Sequence, residues 1–301
     1  MKNIKLSGVL PVVSTPFHND GSVDETSFHK LMEYLVQSGV SGLMMFGIAS
    51  EFYKLSESER DTLRKIFLQY TSSSSVLGIV SITDHSYELA RQSVQKAQED
   101  GADAINIFPP YFMRPSKPAI IKHIEKIAEV AKVPIIVQYA PKESGVDLDP
   151  LFFATLQRDY PQVIGVKVEA QPPGVYITAL RKITESIQTL VGYAGVNMSD
   201  AFLRGADGVQ PGSSFVEVYN KLWEYYAANQ ASFRDLYERL LPYLSIWMQS
   251  PEYLIKVEKE ILRQRGIIKN SYCRAVSYEL DKIDYDRIHQ FLGEFSKEIN
   301  I

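Results

Sequence analysis

Residues 163–170 read VIGVKVEA, an apolar strand-like run in which Lys167 and Glu169 stand two apart. A lysine or glutamate that is fully buried is rare unless it is paired or carries chemistry. The period of two along a strand sends Gly165, Lys167 and Glu169 to one face and Ile164, Val166 and Val168 to the other. A run this nearly continuous in apolar residues is how a strand covered on both faces of a parallel sheet reads. By itself the segment leaves three readings open: a structural ion pair, an exposed strand edge, or a reaction centre.

Working outward, seven more runs share its character: GVLPVVST (8–15), SGLMMFG (41–47), SVLGIVSI (75–82), DAINIF (103–108), VPIIVQYA (133–140), IQTLVGY (187–193) and GVQPG (208–212). Amphipathic segments with helix punctuation separate them. DETSFHKLMEYLVQSG starts at an acidic cap and ends at Gly39, SESERDTLRKIFLQY sets Ser56 and Glu59 as a capping box, and HSYELARQSVQKAQEDG stops at Gly101. Strand followed by helix, eight times, leaves a closed eightfold barrel or a doubly wound open sheet. The first strand runs into STPFHNDGSVD, without the glycine fingerprint of a dinucleotide-binding sheet. The expectation is an α/β fold, a (β/α)8 TIM barrel with a C-terminal helical extension. After residue 214 the pattern turns to helices only, and the expected division is a barrel over 1–225 and a helical region over 226–301.

Bulk properties narrow the function. Hydrophobic residues make up 45% and charged residues 23% of the 301, an ordinary globular composition with material for a sizeable core. A formal net charge of −4 supplies no basic field for nucleic acid or an anionic membrane surface. The N-terminal MKNIKLSGVLPVVSTPF has no long apolar h-region, and no 18-residue apolar stretch occurs, so a soluble, cytoplasmic protein is expected. Cys273 is the single cysteine, which excludes an internal disulfide and a thiolate zinc cluster. No metal site is expected.

In a barrel of this kind the active site lies at the C-terminal ends of the strands. There the apolar runs stop at TPF (15–17), GIASE (47–51), PPYF (109–112), QYAP (138–141), VKVEA (166–170), GYAG (192–195) and QPGSS (210–214). An amine withdrawn from water at that rim is held more readily in its neutral, nucleophilic form, which attacks a ketone to give a Schiff base.

These residues together resemble the dihydrodipicolinate synthase and N-acetylneuraminate lyase family of class I aldolase-type barrels. TPF with DGSVD, GIASEFYKLSESER, GADAINIFPPYF, VPIIVQYAPKESG, VIGVKVEA and GADGVQPGSS follow the family's order, and Lys167 matches its Schiff-base lysine. The resemblance implies a 2-oxo acid, often pyruvate, held as an imine on Lys167. It implies no metal or organic cofactor, and a homotetramer built as a dimer of dimers. The substrate carboxylate would be held by backbone N–H groups and a hydroxyl of the GIASE turn, which makes Ala49 and Ser50 the expected binding residues.

Departures from the pattern redirect the function. The turn lacks the family's paired hydroxyl residues, with Ser50 available as a substitute, and the tyrosine pair after the fourth strand reads Tyr111 and Phe112. Counted back from Pro141, Gln138 occupies the catalytic tyrosine position and has no ionisable proton. Tyr139 is one residue off and faces the other way unless a bulge turns it. Glu143 stands where the synthases carry a substrate-binding arginine.

The combination resembles the branch that handles 2-keto-3-deoxy sugar acids, by dehydration or aldol cleavage. Another pyruvate-dependent aldolase or synthase, or a silent 2-oxo-acid binder, are the alternatives. Glu169 becomes the replacement base, its Cα about 6.6 Å from that of Lys167 at ordinary strand rise. Gln138 and Gln210 are candidates for bonding sugar hydroxyls or the carboxylate end, and Tyr111 for contacting substrate or filling a subunit interface.

Overall fold

Residues 4–299 are described by a computed structural model. Along the chain come β1 (Gly8–Val9), α1 (Glu25–Gln37), β2 (Gly42–Met45), α2 (Glu57–Ser72), β3 (Leu77–Ile82), α3 (Tyr87–Glu99), β4 (Ala104–Ile107) and α4 (Lys117–Ala128). Then follow β5 (Ile135–Tyr139), α5 (Pro141–Ser144), α6 (Pro150–Asp159), β6 (Val163–Val168), α7 (Pro173–Ile183), β7 (Gln188–Val191), α8 (Met198–Leu203) and β8 (Gly208–Val209). The chain ends in α9 (Val216–Ala228), α10 (Gln230–Trp247), α11 (Pro251–Gln264) and α12 (Lys282–Glu294). Strand and helix alternate as the sequence predicts, and the expected boundary at 225/226 falls inside α9.

Two compact units divide these elements. One holds residues 4–7 and 77–210, the other residues 8–76 and 211–299. In the first, β3 to β8 run parallel in chain order. Most of their apolar side chains are buried: Ile79, Ile105, Ile135, Val166 and Leu190 are all fully inaccessible. Gly165 leaves room on β6 for Leu6, since a Cβ there would overlap the leucine Cδ1. Gln188 pins that N-terminal segment by accepting from the Leu6 N–H at 2.6 Å and donating to the Ile4 carbonyl at 3.1 Å.

The second unit contains β1, β2 and the terminal helices. Helix α1 buries Phe28, Leu31, Met32 and Leu35, one face at helical spacing. The predicted capping box of α2 is present, with the Ser56 N–H donating to Glu59 at 2.8 Å and the Glu59 N–H to the Ser56 hydroxyl at 3.3 Å. Strands β1 and β8 are each only two residues long. Pro11 and Pro211 follow them, and proline has no N–H for a ladder.

Candidate active site

The geometry around Lys167 follows from strand register. Gln138 of β5 pairs with Lys167 of β6, which pairs with Leu190 of β7, and that residue with Gly208 of β8. Partners in register share a face, so Gln138 and Lys167 point the same way, as period two requires of Glu169. Glu169 lies just beyond β6, its N–H still donating to the Tyr139 carbonyl at 2.8 Å. Lys167 is 5% exposed and Glu169 7%, with Nζ 3.2 Å from Oε1. Both charges are therefore buried and paired, which removes the exposed-edge reading of the segment.

Gln138 orients this pair. Its Nε2 donates to Glu169 Oε2 at 2.6 Å, while its Oε1 accepts from Asn106 Nδ2 at 3.1 Å. Asn106 Nδ2 also donates to the Ser81 hydroxyl at 3.2 Å. A polar row thus runs Ser81, Asn106, Gln138, Glu169, Lys167 across four neighbouring strands, with Asn106 Nδ2 donating to both its neighbours and Gln138 accepting on one side and donating on the other. Hydrogen bonds in such a row hold the carboxylate in one orientation against the amine.

Tyr139 is on the opposite side. A register shift between Ile135 and Ile136 leaves Ile164 without a partner, yet Tyr139 still pairs with Val168. Its ring stacks on Tyr176 at 4.2 Å between centroids and meets Phe153 edge-on, and its hydroxyl donates to Asp147. Burial, then that bond, push its pKa well up. No bulge brings this phenol to Lys167.

Space for Glu169 comes from Gly192, directly after β7. A Cβ there would lie 2.8 Å from Glu169 Cδ and closer still to Cγ and Oε1. The next residue, Tyr193, adopts φ 50° and donates through its hydroxyl to Glu143 of α5 at 2.8 Å and 3.0 Å. Burial, followed by the Glu143 bond, raises its pKa far above the ordinary value and keeps the phenol protonated. Gln210, two residues past Gly208, is 3% exposed and neither of its amide atoms has a hydrogen-bond partner.

The remaining predicted residues have other partners. Tyr111 stacks on Phe108 with centroids 5.2 Å apart and meets the His85 ring at 4.7 Å, while its neighbour Phe112 is 71% exposed. Ala49 and Ser50 belong to the second unit, in a single 3-10 turn, Ile48–Ser50. Both donors of Ser50 are committed, its N–H to the Gly47 carbonyl at 2.9 Å and its hydroxyl to the Val13 carbonyl at 2.6 Å. Glu51 ends that turn at φ 53° and is fully buried, paired with Lys259 of α11 and with Lys54 at 3.1 Å.

Sequence reasoning missed Asn106 and Tyr193. The signal for Asn106 was present, a lone polar residue inside the apolar run AINI, the same kind of exception that drew attention to Lys167. Tyr193 stood in the strand-end segment GYAG without a feature to single it out. Among the described residues no cluster of three or more His, Cys, Asp or Glu side chains is placed to hold a metal ion, and no helix is long and apolar enough to cross a membrane.

Comparison with known proteins bears on the whole chain. The model of the dihydrodipicolinate synthetase family matches residues 5–294. The probable 2-dehydro-3-deoxy-D-pentonate aldolase YjhH of Escherichia coli strain K12 is 24% identical over 297 residues, 96% of this chain and 97% of the relative. Dihydrodipicolinate synthase from Rhodopseudomonas palustris superimposes with a TM-score of 0.88 at 24% identity, covering 95% of this chain and 97% of its own. YagE, a prophage protein of the dihydrodipicolinic acid synthase family from E. coli K12 solved in complex with pyruvate, gives a TM-score of 0.87 at 22% identity, covering 97% and 99%. These likenesses show the fold to be the (β/α)8 barrel with a C-terminal helical region that the alternation predicts.

Proposed function

The chain belongs to the dihydrodipicolinate synthetase family, and from that premise we propose that it is a Schiff-base lyase acting on a 2-oxo acid, namely a 2-keto-3-deoxy sugar acid. The observation that carries the reading is the buried row in which Gln138 fixes Glu169 against Lys167. The Lys167 amine adds to the C2 carbonyl and expels water, giving an imine that draws electrons from C3. Glu169 takes a C3 proton to form the enamine; the C4 hydroxyl then leaves, carrying that proton away as water. For aldol cleavage the same carboxylate takes the C4 hydroxyl proton, the C3–C4 pair collapses into the enamine, an aldehyde departs, and Glu169 returns the proton to C3 to restore the imine. Hydrolysis of the imine in either case frees Lys167.

Gln138 has no proton to relay, so its part is to position Glu169. The substrate carboxylate is assigned, on the family resemblance, to the backbone of the turn that carries Ala49, with Ser50 holding the turn's shape through its bond to Val13. Support for a sugar acid substrate comes from the likeness to YjhH, which spans nearly the full length of both chains.

Incubation with pyruvate and with 2-keto-3-deoxy acids, followed by borohydride and mass spectrometry, tests the imine. An adduct on Lys167 is expected, and no adduct with any of these ligands would sink the reading. Glu169→Gln should retain the adduct and lose turnover by about 10²–10⁴-fold, the range for a positioned general base.

A further inference from the structure

Beyond Lys167, the first unit carries polar groups that the imine chemistry does not use. Glu169 lies two residues past Lys167, and its counterparts two residues past Leu190 and Gly208 are Gly192 and Gln210, so these three share one face and one level. Gly192 contributes no side chain. Gln210 brings a buried amide whose two ends are both unpartnered. Leaving such atoms unmatched costs their desolvation, a cost that a bonding ligand would relieve.

Tyr193 and Glu143 stand next to this level. The phenol's hydrogen is spent on the Glu143 carboxylate, so toward a ligand both groups present acceptor oxygens. The positive φ of Tyr193 and of Ala194 marks a backbone held in a sparsely populated region to place that ring. Among the described residues Glu143 takes part in no ion pair. Lys167 is committed to Glu169, Arg114 packs its aliphatic stem on Gly145 and is exposed, and Lys142 is exposed. Two carboxylates, an acceptor phenol oxygen and an amide suit hydroxyl groups that donate, and repel a second carboxylate.

We infer that the far end of the substrate is an uncharged polyol, and that Glu143 with Tyr193 forms the subsite that selects 2-keto-3-deoxy acids having one carboxylate over those having two. The inference rests on the Schiff-base reading above and deepens it by naming the substrate class. Glu143 and Tyr193 read the distal hydroxyls, and Gln210 bonds a hydroxyl nearer the reacting carbons.

The test compares a six-carbon 2-keto-3-deoxy aldonate with the matching aldarate, in which C6 is a second carboxylate, at several salt concentrations. Wild-type protein should favour the aldonate in kcat/KM by about tenfold or more, and the ratio should shrink as salt screens the repulsion. Glu143→Gln should lower the ratio toward one, mainly through KM for the aldarate. Tyr193→Phe, which frees the Glu143 carboxylate, should raise KM for the aldonate and keep the bias against the aldarate. If Glu143→Gln does not fold, Tyr193→Phe and the salt series decide. A wild-type preference for the aldarate, or a ratio that ignores both Glu143→Gln and salt, overturns the inference and points to Arg114 as the distal partner. A protein that forms no pyruvate adduct on Lys167 fails the Schiff-base reading itself, a separate result seen in the borohydride control.

Discussion

Gly192→Ala adds one methyl group and tests whether the placement of Glu169 matters. Gly192 has φ −89° and ψ −151°, values that alanine adopts without strain, so the backbone gives no reason for a change. The new Cβ would sit 2.8 Å from Glu169 Cδ, against the roughly 3.5–4.0 Å at which carbon atoms rest. Relief requires the carboxylate to move by about 1 Å, because the opposing atoms belong to the Glu169 side chain itself. That movement breaks the 2.6 Å bond from Gln138 and lengthens the 3.2 Å pair with Lys167.

Overpacking of this size costs about 1–3 kcal/mol of stability. A catalytic group displaced by about 1 Å costs on the order of 10² in rate. Turnover of a 2-keto-3-deoxy acid should therefore fall about a hundredfold in Gly192→Ala, while borohydride trapping of pyruvate on Lys167 persists. Chemical denaturation should show the stability cost vanish in a Glu169→Ala background, since the opposing atoms are then gone. Unchanged turnover with a folded protein refutes the role of Glu169 placement. An equal stability cost in both backgrounds refutes the steric account.

Three further substitutions address other parts of the structure. Tyr139→Phe should leave kcat within about twofold and cost about 1–2 kcal/mol for the lost bond to Asp147; a tenfold or larger fall in kcat would put that phenol into proton transfer. Glu258, fully buried on α11 and accepting from the Ser214 N–H at 2.9 Å, has its pKa raised by burial to about 7 from its ordinary 4.5. Because the folded-state value is the higher one, its contribution is complete below about pH 4.5 and is lost as pH rises through about 7. At about 1.4 kcal/mol per unit that is on the order of 3 kcal/mol, so urea denaturation should show stability falling between pH 5 and 8 in the wild type and a flatter profile in Glu258→Gln. Lys259→Met leaves Glu51 buried with Lys54 as its remaining partner, and should cost about 3–5 kcal/mol, which Lys259→Met combined with Glu51→Leu should largely recover; a double variant as unstable as the single one would show that the turn needs the carboxylate for its shape.

The sequence made legible what depends on local period, and hid what depends on pairing between strands. Lys167 and Glu169 share a face because they are two residues apart, and Ser56 caps α2 because Glu59 is three away; neither needs knowledge of another strand. The pair Glu51 and Lys259 joins residues 208 apart in sequence, and nothing within either segment announces the other. Gln138 shows the boundary between the two kinds of knowledge. Its place relative to Pro141 marked it as the substitute for a tyrosine, but not what it touches. That is decided by the register shift at Ile135 and Ile136, which skips Ile164 and sets Gln138, rather than Tyr139, beside Lys167. Without the skip, Gln138 would pair with Val166 and Tyr139 with Lys167, and Glu169 would lose the amide that orients it. The chemistry assigned to this site therefore rests on one unpaired residue in β6, a feature of two strands together that neither strand's sequence contains.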